Sequence, residues 1–178
     1  MPYVVQLDLD AGTNAALGAL AHFLGRVPGI ETVRDIGDSH HLSLAIYDAL
    51  DVKRFVGDLE RFAATMRAVP IVLAGLGVFT RPNGVLYVAP VVTETLLALH
   101  RRFHDALAQW SNDCWEHYRP SHWVPHVTLA MEKEGGNGGL EQALAIVRRH
   151  WRPGPARLDA VRLVRFRPVE TLHVLNLS

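Results

Sequence analysis

The chain has 178 residues, 49% of them apolar, with 18 Lys plus Arg balanced by 18 Asp plus Glu. That is enough for one domain with a sizeable core and too apolar for a disordered chain. A net charge of zero argues against coating nucleic acid through bulk charge, and one cysteine, Cys114, excludes an internal disulfide framework and Cys-rich zinc sites.

The N-terminal segment Tyr3 to Leu7 reads as a short strand with no basic region before it, so no signal peptide is expected. No run approaches the ~20 apolar residues of a membrane helix, and the expected location is the cytoplasm. Thr13 or Asn14 caps a helix with Leu17, Leu20, Ala21 and Leu24 at helical spacing, stopped by Pro28-Gly29. Ile30 to Ile36 reads as a strand, and Gly37-Asp38 as a turn. His41 to Tyr47 alternates, placing His41, Ser43, Ala45 and Tyr47 on one face. Asp51 caps a second helix with Phe55, Leu59, Phe62 and Met66 in a stripe.

Ile71 to Phe79 and Val85 to Ala89 form a hairpin around Arg81-Pro82-Asn83-Gly84. Thr93 or Thr95 opens a third helix, with Leu96, Leu99, Phe103, Leu107 and Trp110 on one face. A polar, aromatic loop runs from Asn112 to Pro125. His126 to Met131 is a second alternating strand, Leu140 to Trp151 a fourth helix, and Ala156 to Phe166 and Thr171 to Leu177 the closing strands. Strands and helices mix with hairpins among the strands, which is α+β.

The strands His41-Leu42-Ser43-Leu44-Ala45 and His126-Val127-Thr128-Leu129-Ala130 share one pattern about half a chain apart. A period of two puts each imidazole and hydroxyl on one face, with apolar residues behind them. If the two strands face each other, two imidazoles and two hydroxyls surround one point. Two imidazoles suit a reaction that removes one proton and delivers another, such as phosphodiester hydrolysis. Hydroxyls can hold the non-bridging oxygens. One such tripeptide is a common accident; two on matched strands are not.

These paired motifs resemble those of the 2H phosphoesterase superfamily, also called the LigT-like or 2′-5′ RNA ligase family. Trp123-Val124-Pro125-His126-Val127-Thr128-Leu129-Ala130 is similar to the family's second motif with its leading proline. Gly75-Leu76-Gly77-Val78-Phe79 with the Val85 to Pro90 strand resembles the segment opening its second lobe. The resemblance spans essentially the whole chain. It implies a single bilobal domain over 1–178, with pseudo-repeat halves of roughly 1–69 and 70–178. Two antiparallel sheets would face a central cleft, with helices outside. It further implies metal-independent cleavage of 2′,3′-cyclic phosphates or related phosphodiesters at RNA ends or on small nucleotides, with RNA joining in some members. His41 and His126 would be the catalytic pair, and Ser43 and Thr128 the phosphate ligands. Ser43 stands where Thr is commoner. No cofactor or metal is expected, and no membrane or DNA duplex as partner. The expected state is a monomer. The rival readings are a non-catalytic RNA- or nucleotide-binding module using the same cleft, and a histidine-rich metal protein.

Tyr47, Arg81, Tyr118, Arg119 and Trp123 are further candidates for substrate binding, the aromatic ones by stacking on a base and the arginines by meeting phosphate. His100 and His104, four apart on the third helix, read as a solvated face. His117 and His122 read as surface loop, Phe79 and Tyr87 as packing residues, and Arg157, Arg162, Arg165 and Arg167 as a solvated strand face.

Overall fold

The computed structural model describes residues 1–80, 84–134 and 138–178. Eight strands occur among them: β1 (Tyr3–Leu9), β2 (Ile30–Thr32), β3 (His41–Tyr47), β4 (Val69–Phe79), β5 (Val85–Pro90), β6 (Val127–Glu132), β7 (Gly154–Arg165) and β8 (Glu170–Asn176). Four α-helices accompany them: α1 (Ala11–Leu24), α2 (Val52–Ala63), α3 (Glu94–Ala106) and α4 (Gly139–His150). The fold is α+β, with the strands joined in one antiparallel network.

Helix starts follow capping chemistry. Asp10, rather than Thr13 or Asn14, caps α1, its carboxylate accepting from the Thr13 N–H at 3.0 Å. Asp51 and Thr93 cap α2 and α3 as the sequence suggests. The strand expected over Ile30 to Ile36 stops at Thr32. There the Asp35 carboxylate accepts from the Thr32 N–H and hydroxyl, both at 2.8 Å, and closes a turn.

Six strands close on themselves in the order β1, β3, β6, β5, β4, β7, with β7 returning to pair with β1. β2 adds to β6, and β8 to β7. Helices pack in two pairs, α1 with α4 and α2 with α3. The core is continuous, running from Leu7, Leu42 and Leu44 through Phe55 and Phe103 to Val127 and Leu163. The β3–β6 seam is the weakest join, held in register by one pair, Leu42 opposite Val127. Both residues are fully buried. The cleft opens over this seam.

Candidate active site

An antiparallel register centred on Leu42 and Val127 sets His41 across from Thr128 and Ser43 across from His126. Since Leu42 and Val127 point into the core, their neighbours point the other way. His41, Ser43, His126 and Thr128 all line one cleft of about 500 Å³. In this register each histidine sits across the seam from the other motif's hydroxyl residue.

Both motif strands carry the same irregularity. On β3, Ser43 pairs with Gln6 but Ala45 pairs with Val5, so Leu44 is an extra residue. On β6, Thr128 pairs with Tyr87 but Ala130 pairs with Leu86, so Leu129 is extra. These are β-bulges placed directly after each hydroxyl. Each bulge inverts the alternation beyond it. Ile46 and Met131 therefore turn to the cleft. Tyr47 turns to the core, where it is 1% exposed and meets the Phe55 ring edge-on at 5.2 Å. The expectation that Tyr47 shares the face of His41 is corrected by this bulge.

His41 is held by a polar network. Its Nδ1 lies 2.8 Å from the Ser39 carbonyl, which can only accept, so Nδ1 carries the hydrogen. Its Nε2 then accepts from the Gln6 amide at 3.1 Å, and the same amide donates to Asp38 at 2.8 Å. Asp38 Oδ2 is 3.6 Å from His41 Nδ1. Behind them, the Arg162 guanidinium donates to Asp38 at 2.7 Å, to Asp8 at 3.2 Å and to the Ser39 hydroxyl at 2.5 Å. Arg162 is thus a buried strut, not part of a solvated face. Burial holds the His41 pKa below its ordinary value against the opposing pull of Asp38 and the Ser39 carbonyl, and Arg162 and His126 add to the lowering.

His126 has the same anchor and different company. Its Nδ1 donates to the Val124 carbonyl at 2.7 Å. The ring sits against Phe79 and Tyr87, centroids 4.9 and 5.3 Å away. Burial lowers its pKa, against the pull of the Val124 carbonyl. Tyr87 reaches this place by lying over Gly77, where a Cβ would overlap its ring.

The other sequence candidates divide. Tyr118 lines the cleft, half-buried, its hydroxyl pushed up to about 12 by burial. Trp123 does not line it; its indole is buried, stacks on His100 at 3.9 Å and donates to the Ser43 carbonyl at 3.0 Å. Arg119 braces its own loop, donating to the Cys114 carbonyl at 3.1 Å and that of Asn112 at 3.4 Å. Both are corrected from substrate ligands to structural groups. Arg81 lies outside the described residues. His100 and His104 are buried rather than solvated. His100 Nε2 lies 3.2 Å from the Leu44 carbonyl and 3.0 Å from that of Tyr118, and burial, with His104 beside it, pushes its pKa down to about 4.

His117, His122 and Trp115 line the cleft although the sequence reads their segment as surface loop. The loop folds back because the Trp115 N–H donates to the Ile46 carbonyl at 2.8 Å and Cys114 bridges Tyr47. Gln6 and Asp38 were missed because they meet only when β1 packs beside β3 and the turn before it. Among the described residues no cluster of three or more His, Cys, Asp or Glu could hold a metal ion, and no helix is long and apolar enough to cross a membrane.

A family model, the 2′-5′ RNA ligase superfamily, matches residues 38–170. The chain belongs to that superfamily. The matched segment contains both motif strands and the network residues Asp38 and Arg162. Among solved structures the chain is similar to TT0787 of Thermus thermophilus, with 18% identity, TM-score 0.68, and 99% of this chain and 98% of that one covered. It is similar too to Escherichia coli LigT complexed with 3′-AMP, with 16% identity, TM-score 0.63, and 100% and 99% covered. LigT complexed with NADP+ gives 16%, 0.62, and 99% and 96%. These likenesses establish a LigT-like fold over the full length. No curated protein sequence matches the chain.

Proposed function

We propose that this superfamily member hydrolyses a phosphodiester, a 2′,3′-cyclic phosphate or a related linkage at an RNA end or on a small nucleotide, without metal. The observation that carries the reading is the matched anchoring of His41 and His126. Each Nδ1–H is committed to a carbonyl two residues upstream, so each Nε2 is the nitrogen turned to chemistry at one cleft, that of His41 exchanging the Gln6 amide for the reacting group.

With a phosphate between them, one neutral Nε2 takes a proton from water. The water oxygen attacks phosphorus, and the bond from phosphorus to one ribose oxygen breaks. The other imidazole, protonated, delivers its proton to that oxygen. Ser43 and Thr128 donate to the non-bridging oxygens, where negative charge builds up. The same sequence with a ribose 5′-hydroxyl in place of water joins ends: its oxygen attacks the phosphorus of a 2′,3′-cyclic phosphate, the bond to the 3′-oxygen breaks and that oxygen takes the proton, leaving a 2′-5′ linkage. A cleft of about 500 Å³ walled by Phe79, Trp115 and Tyr118 suits a nucleobase beside the phosphate. The nucleotide complexes of the similar LigT support a nucleotide occupant.

The test is turnover of 2′,3′-cyclic nucleotides and a 2′-5′-linked dinucleotide by chelator-treated protein between pH 4 and 8. Cleavage that persists in chelator is expected. Nucleotide binding without cleavage at any pH would overturn the reading in favour of a binding module, and activity restored only by added metal would overturn it in favour of metal catalysis.

A further inference from the structure

We propose that His40 and Trp123 are positioning residues that lock the two motifs together across the β3–β6 seam, each one holding the hydroxyl-bearing residue of the opposite motif. The inference rests on the phosphodiesterase reading and extends it to residues outside the motifs.

Two hydrogen bonds carry it. The His40 Nδ1 lies 3.1 Å from the Thr128 carbonyl. The Trp123 Nε1 lies 3.0 Å from the Ser43 carbonyl. His40 directly precedes His41, and Trp123 stands three residues before His126. Each histidine's approach segment thus grips the residue that offers a hydroxyl across from that histidine. His41 is tied to Thr128 through His40, and His126 to Ser43 through Trp123.

The seam needs such ties. β3 and β6 share a single backbone pair, whereas β1 and β3 share six. A bulge follows each hydroxyl residue and interrupts the ladder there. The ring of strands and the β2–β6 pairing hold the two halves together, but at the site itself only the Leu42–Val127 pair and the bonds on the Ser43 and Thr128 carbonyls set β3 against β6. The angular demands of acid–base transfer make such looseness costly.

Both clamps are themselves rigid and single-purpose. Trp123 is stacked on His100 with 1° between the ring planes, and His100 faces the carbonyl of the bulge residue Leu44. Indole N–H only donates, so Trp123 has one use for its polar atom. His40 is 1% exposed, and its Nε2 has no partner among the described residues. A carbonyl facing Nδ1 requires the hydrogen there, so the His40 donor is committed to the Thr128 carbonyl. The Asn14 side chain secures the His40 backbone, 3.3 Å from its N–H and 3.5 Å from its carbonyl.

Three variants of the full chain test the proposal: Trp123→Phe, which deletes the indole donor and keeps a stacking ring; His40→Leu, which fills the space without a donor; and His40→Asn, whose amide can replace the Nδ1 donor. The readouts are kcat and KM on a 2′,3′-cyclic nucleotide, the pH profile, and the melting temperature. Trp123→Phe and His40→Leu should lower kcat by roughly 10- to 100-fold and raise KM by no more than about tenfold, while His40→Asn recovers most of the loss. Unchanged kcat with only a lower melting temperature would overturn the proposal. Inorganic phosphate, followed through the His41 and His126 ring protons by NMR, supplies a readout independent of turnover. Both rings should respond together in the unmodified protein, and the response should weaken about tenfold in the two donor-deleted variants. If the unmodified protein binds phosphate through both rings but cleaves nothing, and the two donor-deleted variants weaken that binding, the function fails and the clamp stands. If phosphate moves both rings equally in every variant, the clamp fails.

Discussion

The rings of His41 and His126 are anchored alike, Nδ1 to the carbonyl of Ser39 at 2.8 Å and of Val124 at 2.7 Å, two residues upstream in each case. The equivalence ends there. His41 looks onto Gln6, Asp38 and Arg162, whereas His126 looks onto Phe79 and Tyr87. One half of the site stores charge and the other stores aromatic surface.

The first prediction concerns pH. Burial lowers the pKa of both imidazoles from the ordinary value of about 6.5. Catalysis needs one ring neutral and the other protonated, and the protonated one is lost as pH rises through its lowered pKa. The bell for kcat/KM should therefore peak on the acid side of 6.5. Bound phosphate is an anion that favours the protonated ring, so the bell for kcat should sit at higher pH. Initial rates at saturating and at limiting substrate check both. A kcat/KM peak above pH 7.5 would contradict the burial argument.

The second concerns the hydroxyls. Ser43→Ala and Thr128→Ala should each be milder than loss of a histidine, because each removes one neutral donor among several groups on the phosphate. Parallel kinetics of the four alanine variants check the order. A Thr128→Ala variant as impaired as His126→Ala would mean that the hydroxyl does more than hold an oxygen.

The third concerns His100. The helix face it occupies packs under Trp123 and the loop, so His100→Ala should cost stability by roughly 2–4 kcal/mol through lost stacking and the loss of the Nε2 contact with the Leu44 and Tyr118 carbonyls. Its pKa of about 4 lies below the unfolded value of 6.5. The native state thus refuses a proton that the unfolded chain takes up. The stabilisation is present above pH 6.5 and is lost as pH falls towards 4, by about 3 kcal/mol for this group. Urea unfolding at several pH values should show the loss, and His100→Gln should make it smaller, leaving the share of the other buried histidines.

Much of this site was legible in the sequence. The His-x-Ser/Thr spacing on alternating strands requires only a period of two, and it brought His41, Ser43, His126 and Thr128 to one cleft. What escaped depends on contacts between distant segments. No local pattern announces the bulges at Leu44 and Leu129, because a bulge is defined by the partner strand; this sent Tyr47 inward. The His100–His104 spacing fits a solvated helix equally well until the loop folds over it. Gln6 and Arg162 sit on strands that pair side by side yet lie at opposite ends of the chain. The α+β class, by contrast, followed from helix caps and strand periodicity.

The fourth prediction concerns Gly77. A Cβ at this position would overlap the Tyr87 ring that packs against His126. Gly77→Ala should cost about 1–3 kcal/mol from the forced overlap and should lower kcat by displacing His126. Tyr87→Ala in the same chain should relieve the overlap, so the double variant should be more stable than the two single losses combined predict. Melting temperatures across the four-member cycle check this. Simple additivity would show that the two residues do not meet.

The most direct test of the central claim, that two histidines act as one unit on one phosphate, is kcat/KM for a 2′,3′-cyclic nucleotide in chelator, measured for the unmodified protein, His41→Ala, His126→Ala and the double variant. Each single variant should lose roughly 10²–10⁴-fold. The double variant should be little worse than either, because a proton acceptor without its donor achieves little. Losses that multiply in the double variant, or a single variant that keeps its turnover, would contradict the account.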